Sequence, residues 1–530
     1  MSNNTMPARI AGRGHHGYAQ RQDIIPPRGI SFEPGRFGRM FPELTTPLEP
    51  PDAALAELGA AMLDGPGGRD SGDNSSIPAG FTYLGQFIDH DVTLDTTTLT
   101  EVAQDPTAVE NFRTPRLDLD SVYGFGPRAQ PSLYDRFSPG RAKLLLGGTT
   151  QGNAEPIKAG LPHDLPRNSQ GFAIIGDERN DENLLVAQTH VAFLRFHNAI
   201  VDRLAGTVPD GALFGAARRA TIDLYQAMVI RDFLTKLCDP CDIEAALTRR
   251  RFFRFERFGK FGQPYIPIEF SVAAYRLGHS MVRSDYSHNR IFRPGGPVGA
   301  SGTLDLLFQF TAKSGAIGTT GDGPANRPTL PGDWIIDWRR FLDFGTVDPA
   351  DGFVLNLTRN IDPYLAEPLH RLFGVETPTA DTRLSVMNLR RGVKMKLPAA
   401  QEVAQFMGVA VLSPDEIAAG GPDGDVARQH GLHVRTPLWY YILKEAELRQ
   451  QGSRLGPLGS KIVAETFVGL LQGDPGSILA RNPNWRFGQP LPGLVLDGAD
   501  VSFTFADLVA VASGGRSKEQ LSPIDDPANK

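Results

Sequence analysis

Cysteine, long apolar runs and clustered positive charge are scarce in this sequence, and each scarcity excludes a class of protein. The 530 residues include two cysteines, Cys238 and Cys241, which form one CDPC pair. One pair is too little for a disulfide framework, and without a second CxxC it supplies at most half of a zinc site. We interpret the two residues as ordinary thiols at a helix end.

No run of about 18 apolar residues occurs, so the sequence predicts no transmembrane helix. The first residues, MSNNTMPARIAGRGHHGYAQRQD, lack the apolar segment of a cleaved secretory signal. Export by another route and a cytoplasmic location both stay open.

Nucleic-acid binding is not expected from the charge pattern. The net charge is -6, and the one basic, aromatic stretch, RRRFFRFERFGKFG at 249–262, is more typical of a surface loop. The sequence also contains no internal repeat, P-loop, HExxH or GxSxG element, which excludes the enzyme classes that depend on those motifs.

The composition and periodicity that remain indicate a globular, mainly α-helical protein. Hydrophobic residues make up 41% and charged residues 22% of the chain. Helical patterns recur from 184 onward, and strand signals are sparse. We divide the chain into an N-terminal extended arm at 1–76, a main domain at 77–515 and a polar C-terminal tail at 516–530.

Polar groups interrupt an apolar segment at 81–95, FTYLGQFIDHDVTLD. Gln86, Asp89, His90 and Asp91 lie within little more than one helical turn there. Such groups are costly to bury unless they are paired, hydrogen-bonded or coordinated. Two interpretations are equally supported by these residues alone: a satisfied core histidine beside helix-end carboxylates, or a functional site.

A loop at 114–124, TPRLDLDSVYG, carries the alternating oxygen groups that suit a hard cation. Thr114, Asp118 and Asp120 supply one hydroxyl and two carboxylates, the ligands that calcium prefers. The loop is not an EF-hand, because its sixth and twelfth positions, counted from Asp118, are Tyr123 and Ala129.

Other histidines lie on apolar helical patterns. His190 and His197 are seven residues apart, and packing is the simpler interpretation of both. In FSVAAYRLGHSMV at 270–282, Arg276 and His279 have the i,i+3 spacing that puts two side chains on one helix face.

Four of these motifs, in this order, resemble those of the animal-type haem peroxidases, the peroxidase–cyclooxygenase superfamily, and in particular its bacterial members. They are GQFIDHD at 85–91, TPRLDLDSVYG at 114–124, GDERNDEN at 176–183 and YRLGH at 275–279. NLRRGVKMKLP at 388–398 is similar to a later signature, and the resemblance extends from about residue 78 to 480. It implies a large single-domain helical haem peroxidase fold with few short strands.

The resemblance implies roles for five residues around a haem b. His90 would be the distal base with Arg179 beside it over the iron, and Gln86 would line the distal pocket near water or halide. His279 would be the proximal iron ligand, and Arg276 would meet a haem propionate.

The resemblance also implies a calcium site and acids that can form esters with haem methyl groups. The calcium ligands would be the side chains of Asp91, Thr114, Asp118 and Asp120 and the carbonyl of Arg116. The ester-forming acids would be Asp89 and Glu182.

Two positions depart from the family pattern. Asn183 follows Glu182 where some relatives have a methionine that bonds a haem vinyl group, so that link should be missing. We place Gln401 where the family has the asparagine that bonds the proximal imidazole.

The function implied is reduction of hydrogen peroxide coupled to oxidation of a halide or small organic donor. A fatty-acid dioxygenase of the same superfamily is one alternative. Its tyrosine would lie three residues before the proximal histidine, where this chain has Arg276, and Tyr275 would point about 100° away on a helix. A non-enzymatic haem-binding or adhesive module, which would lack His90 or Arg179, is the other alternative.

Overall fold

The computed structural model describes residues 35–64, 75–94, 110–255, 264–312, 317, 329–345, 352–371 and 379–530. Its regular structure is helical, as the sequence predicts. The helices of eight or more residues are α1 (Asp52–Ala61), α2 (Gly80–Val92), α3 (Leu184–Leu204), α4 (Asp210–Met228), α5 (Pro240–Thr248), α6 (Leu384–Lys394), α7 (Ala400–Met407), α8 (Pro422–Gln429), α9 (Leu438–Gln450), α10 (Pro457–Gly473) and α11 (Phe505–Ser513). None of these described helices is long and apolar enough to cross a membrane.

Shorter helical segments connect the long helices. The α-helical ones are Asp120–Tyr123, Gly126–Ala129, Leu234–Leu237, Ile268–Val272, Gly278–Met281, Leu304–Gln309, Pro414–Ile417, Ile478–Arg481 and Lys518–Leu521. One π-helical turn, Val229–Phe233, continues α4. The 3₁₀ turns are Pro131–Leu133, Pro139–Arg141, Glu178–Asp181, Ala274–Leu277, Gly332–Trp334, Trp338–Arg340, Glu367–His370, Ala380–Thr382, Pro523–Asp525 and Pro527–Asn529.

The strands are short and form two small sheets. They are β1 (Gly35–Gly38), β2 (Glu110–Asn111), β3 (Ile266–Pro267), β4 (Asp285–Tyr286) and β5 (Gly302–Thr303). Strand β1 pairs antiparallel with β2 and parallel with β3, in the registers Gly35↔Asn111 and Phe37↔Ile266. Strands β4 and β5 form an antiparallel pair.

Helix α3 is the central element of the core. Its side chains are buried over most of its length, as expected for a helix that is apolar on most faces. It packs against α2, α4 and α11. Asn183 caps the N-terminus of α3, where its side chain accepts a hydrogen bond from the backbone N–H of Val186 at 2.9 Å.

Both ends of the described chain pack on the helical core. Phe37 and Phe41 of the segment at 35–64 are buried, and so is Ile524 of the segment at 516–530. Asp525 pairs with Arg339 at 3.0 Å. Most of the predicted arm lies outside the described residues, and the division of the chain at 76 and 515 stays a prediction.

Candidate active site

A mostly apolar cavity lies between α2 and the segment Ser271–Val282. Concave, mostly apolar sites with a few polar groups are typical of ligand and cofactor binding. Gln86, Asp89 and His90 line it from α2, and Arg276 and His279 line it from the other segment. The structure therefore brings together the motifs GQFIDHD and YRLGH, which are almost 200 residues apart in the sequence.

His90 is buried, and its ring is held through Nδ1. That atom lies 2.8 Å from Oδ1 of Asn180, a carbonyl oxygen that can only accept a hydrogen bond. Nε2 lies 3.7 Å from Oε1 of Glu182. Burial lowers the pKa of His90 below its usual value, and the positive charge of Arg179 lowers it further. The imidazole is therefore neutral and carries a basic nitrogen, as a proton acceptor requires.

Three polar side chains form a network beside His90. Nε2 of Gln86 donates to Oε1 of Glu182, and Nδ2 of Asn183 donates to Oε1 of Gln86 at 3.0 Å. Glu182 is 1% exposed. Asp89 lines the same cavity, where it accepts a hydrogen bond from the hydroxyl of Thr93 at 3.1 Å. Both predicted ester-forming acids therefore lie near His90.

Arg179 contacts the backbone of α2 next to His90. Its Nη2 donates to the carbonyls of His90 at 3.0 Å and Thr93 at 2.6 Å, which caps the C-terminal end of α2. Asp177 pairs with both Arg179, at 2.7 Å, and Arg113. Burial alone would raise the pKa of Asp177, but the two arginines hold it well below its usual value. Arg179 does not line the cavity among the described residues, so its predicted position over the iron stays a prediction.

On the other wall, the ring of His279 contacts Asn388 of α6. Nδ2 of Asn388 lies 2.8 Å from Nδ1 of His279, and Nη1 of Arg276 donates to Oδ1 of the same amide. The prediction that Gln401 takes this position is wrong. Gln401 is on α7, where it exchanges hydrogen bonds with Thr436 at 2.7 and 2.9 Å. Asn388 is the first residue of NLRRGVKMKLP, so the signal that could have identified it was present in the sequence.

Three of the predicted calcium ligands, Asp91, Asp118 and Asp120, lie together, and Asp91 is the residue after His90. Carboxylate oxygens of Asp91, Asp118 and Asp120 lie within 4.8 Å of one another. The hydroxyl of Thr114 donates to Asp118 at 3.1 Å. Leu119, between the two loop carboxylates, adopts φ 56°, a left-handed conformation that turns the loop back on itself.

The charges of this cluster are not balanced by protein cations alone. Burial raises the pKa of Asp91 well above its usual value, and the charges of Asp120 and Asp118 raise it further. Burial also raises the pKa of Asp120 to about 7, although Arg113 opposes that shift. Oδ1 of Asp91 has no hydrogen-bond partner within the described part of the chain. Three clustered carboxylates, one buried and two partly buried, with an unpaired oxygen are donors of the kind that a calcium ion binds.

Tyr275 differs from its prediction, because it also lines the cavity. Its hydroxyl donates to the carbonyl of Gly85 on α2 at 3.1 Å, and its ring stacks on Phe270 at 4.7 Å. Ala274–Leu277 is a 3₁₀ turn, in which neighbouring side chains leave the backbone about 120° apart, and Tyr275 and Arg276 both reach the cavity wall.

Comparison with known proteins identifies relatives of this chain. The family model described as animal haem peroxidase matches residues 96–306. A peroxidase-like protein of Margaritifera margaritifera is 31% identical over 403 residues, which cover 71% of this chain and 47% of that protein. The chain spans less than half the length of the curated relatives it matches.

Two solved structures share the fold. Peroxidase A from Dictyostelium discoideum superposes with a TM-score of 0.59 and 16% identity, covering 92% of this chain and 95% of that one. The fatty acid alpha-dioxygenase of Oryza sativa superposes with a TM-score of 0.56 and 14% identity, covering 91% of this chain and 83% of that one. At these identities the similarity concerns the fold alone.

Proposed function

Because this chain belongs to the animal haem peroxidase family, we propose that it reduces hydrogen peroxide at a haem and oxidises a halide or a small organic donor. The observation that carries the proposal is the pair of histidines in one cavity. Nδ1 of His90 is bonded to Asn180, and Nδ1 of His279 is bonded to Asn388. In each ring the amide engages Nδ1, so Nε2 is on the side away from that amide.

The cavity fits a haem in its apolar lining and its donor set. His279 would bind the iron, and Arg276 would pair with a propionate. Burial lowers the pKa of Arg276 to about 10, so it stays cationic at neutral pH. Haem supplies the iron and the redox equivalents, while the protein contributes position and proton transfer.

His90 and Arg179 perform the protein's part of the reaction in this proposal. Nε2 of neutral His90 would accept a proton from one oxygen of hydrogen peroxide and return it to the other oxygen, which leaves as water. Arg179 contributes a fixed positive charge beside His90, which favours the build-up of negative charge as the O–O bond breaks. Gln86, which bonds Glu182 and Asn183, would orient water or a halide at the same wall.

Two further features belong to the same proposal. Asp89 and Glu182 would each form an ester with a haem methyl group, and Asn183 supplies no sulfur for a third link. The side chains of Asp91, Thr114, Asp118 and Asp120 and the carbonyl of Arg116 would bind calcium. An ion there would fix the end of α2 that carries His90, because Asp91 is the next residue.

A fatty-acid dioxygenase is the second candidate, since a cavity-lining tyrosine and a dioxygenase-like fold both favour it. Arg276 opposes it, because that residue is at the position where the dioxygenase tyrosine would lie. A non-enzymatic haem-binding or adhesive module is less well supported, since His90 and Arg179 are both present.

Oxygen uptake separates the two enzymatic functions. The haem-loaded protein is supplied either with hydrogen peroxide and a phenol or iodide, or with a long-chain fatty acid and air. Oxidation of the donor without fatty-acid-dependent oxygen uptake supports the peroxidase. Oxygen uptake that needs the fatty acid and is lost in Tyr275→Phe would overturn it in favour of the dioxygenase.

A further inference from the structure

Asn180 lies between two buried imidazole rings. Its Oδ1 is 2.8 Å from Nδ1 of His90, and its Nδ2 is 2.9 Å from Nδ1 of His190. All three residues are at most 1% exposed. The backbone N–H of Asn180 donates to the carbonyl of Asp177 at 3.1 Å, so the amide projects from a turn that is itself fixed.

The amide oxygen determines which nitrogen of His90 carries the proton. A carbonyl oxygen only accepts, so a neutral His90 in this contact is protonated at Nδ1 and has its lone pair at Nε2. The opposite tautomer would place a lone pair against Oδ1 and leave Nε2 protonated. A ring in that state has no basic nitrogen with which to take a proton from peroxide.

His190 determines which way the amide faces. Nδ2 of Asn180 donates to Nδ1 of His190, which must therefore be unprotonated. Burial lowers the pKa of His190 to about 3, so this ring stays neutral throughout the physiological range. Its Nε2 has no hydrogen-bond partner among the residues the structure describes, so the bond to Asn180 is the polar contact that the ring has there.

The same orientation of the amide serves both protonation states of His90. After His90 accepts a proton at Nε2, its Nδ1–H still donates to Oδ1 of Asn180. A reversed amide would place an NH₂ group against that N–H and would have to turn in every catalytic cycle. Turning would also break the bond to His190.

We propose that Asn180 is a positioning residue for the peroxide reaction, which holds neutral His90 in the Nδ1–H tautomer while His190 holds the amide in place. The proposal rests on the proposed function, because the tautomer matters only if Nε2 of His90 receives a proton. Neither residue touches peroxide or haem in this assignment; both act through His90.

Tautomer state is measured directly by ¹⁵N NMR of histidine-labelled protein in its diamagnetic ferrous carbon monoxide form. The His90 signals are assigned by their loss in His90→Ala. The parent should show a protonated Nδ1. Asn180→Ala, which removes the acceptor, should show a mixture containing the Nε2–H form, and Asn180→Asp should restore the Nδ1–H form.

Cyanide binding to the ferric protein gives a second readout that requires no turnover. Hydrogen cyanide binds iron as the anion, and its proton passes to a nearby base. Asn180→Ala should bind cyanide and react with peroxide about 10- to 100-fold more slowly than the parent, the usual range for loss of a supporting hydrogen bond. Asn180→Asp should recover most of both rates, since its carboxylate accepts from Nδ1–H.

The matched control is Asn289→Ala. Asn289 is a buried asparagine whose Nδ2 donates to the carbonyls of Asp333 and Ile335, at 2.9 and 3.0 Å, outside the cavity. Its loss should lower stability without changing the cyanide rate. If Asn180→Ala does not retain haem, His190→Phe replaces it, and a mixture of His90 tautomers is again expected.

If His90 in Asn180→Ala keeps a single Nδ1–H tautomer and the variant binds cyanide at the parent rate, the proposal is overturned. A slow Asn180→Ala that Asn180→Asp fails to rescue would also overturn it. A parent that does not react with peroxide would overturn the proposed function instead, and the NMR measurement would still decide the role of Asn180.

Discussion

Nδ2 of Asn388 lies 2.8 Å from Nδ1 of His279, although the two residues are 109 positions apart. The same amide accepts a hydrogen bond from Arg276. A ring that binds iron through Nε2 and keeps its proton on Nδ1 needs an acceptor at Nδ1. We therefore expect Oδ1 of Asn388 to face His279 in the haem-loaded protein, with Arg276 turned to a propionate.

Substitution of Asn388 should change the iron–histidine bond. Asn388→Asp places a carboxylate at Nδ1, which makes His279 a stronger electron donor and raises the iron–histidine stretching frequency in the ferrous Raman spectrum. Asn388→Ala should lower that frequency and weaken haem retention. Gln401→Ala is the matched control, because Gln401 bonds Thr436, and its spectrum should match the parent. Equal spectra for all three variants would exclude Asn388 as the partner of His279.

Removal of calcium should loosen the distal side of the cavity. We expect calcium in the purified protein by elemental analysis, and a chelator should lower the thermal midpoint and haem occupancy together. Asp118→Ala should reproduce the effect, because it removes one of three clustered carboxylates. Asp415→Ala, at an exposed carboxylate, is the control and should leave both quantities unchanged. Purified protein that contains no metal and has the same thermal midpoint as the chelator-treated sample would contradict the calcium site.

Peroxide treatment should attach the haem covalently. At each ester a carboxyl oxygen of Asp89 or Glu182 bonds a haem methyl carbon as its C–H bond breaks, and hydrogen peroxide, the oxidant, is reduced to water. Acid–organic extraction and peptide mass spectrometry should find two links after turnover, one in Asp89→Asn and one in Glu182→Gln. Haem that extracts completely from the treated parent would show that both acids serve only as hydrogen-bond acceptors.

Glu445 should make stability fall as pH rises. Oε2 of Glu445 accepts from the N–H of Leu458 at the start of α10, at 2.9 Å, and burial raises the pKa of Glu445 to about 7. The folded protein therefore holds a proton that the unfolded chain releases above its own, lower pKa near 4.5. The contribution of Glu445 to the free energy of unfolding is fully present below pH 4.5. It is lost as the pH rises through 7, by at most about 1.4 kcal/mol per pH unit.

The matched variant for this test is Glu445→Gln, which keeps an acceptor for Leu458 but cannot ionise. Its free energy of unfolding, measured by denaturant titration between pH 5 and pH 8, should lose this part of the pH dependence and exceed that of the parent at pH 8. A parent and variant with parallel pH profiles would show that Glu445 is ionised in the folded protein across this range.

The sequence predicted the mainly α fold, because ordered motifs carry information about a shared fold. It also predicted that His90 and His279 serve one site, and both line the same cavity. It did not predict the partner of His279. Which residue of a later helix faces the ring depends on how α6 packs, and spacing along the chain does not determine that. The angle between Tyr275 and Arg276 on a helix did not predict that both side chains line the cavity, because that depends on how the walls around them pack.

The contacts of Arg179 show the same limit. The resemblance carried by GDERNDEN predicted Arg179 beside His90 over the iron, and that position stays a prediction. The bonds of its guanidinium to the carbonyls of His90 and Thr93 depend on where α2 ends. Asn180, next in the same motif, went unnoticed because its role requires His190, whose helix pattern indicated packing alone.

The rate of reaction with hydrogen peroxide tests the central claim most directly. Stopped-flow absorption at the haem band follows the parent, His90→Ala and Arg179→Ala, with His288→Ala as a control at a buried histidine outside the cavity. We predict rapid reaction of the parent and the control, and rates lower by about 10²–10⁴ in His90→Ala, the usual cost of losing a general acid–base. Arg179→Ala should also be slower than the parent. His90→Ala and Arg179→Ala that react as fast as the parent would contradict the assignment of this cavity as a peroxidase site.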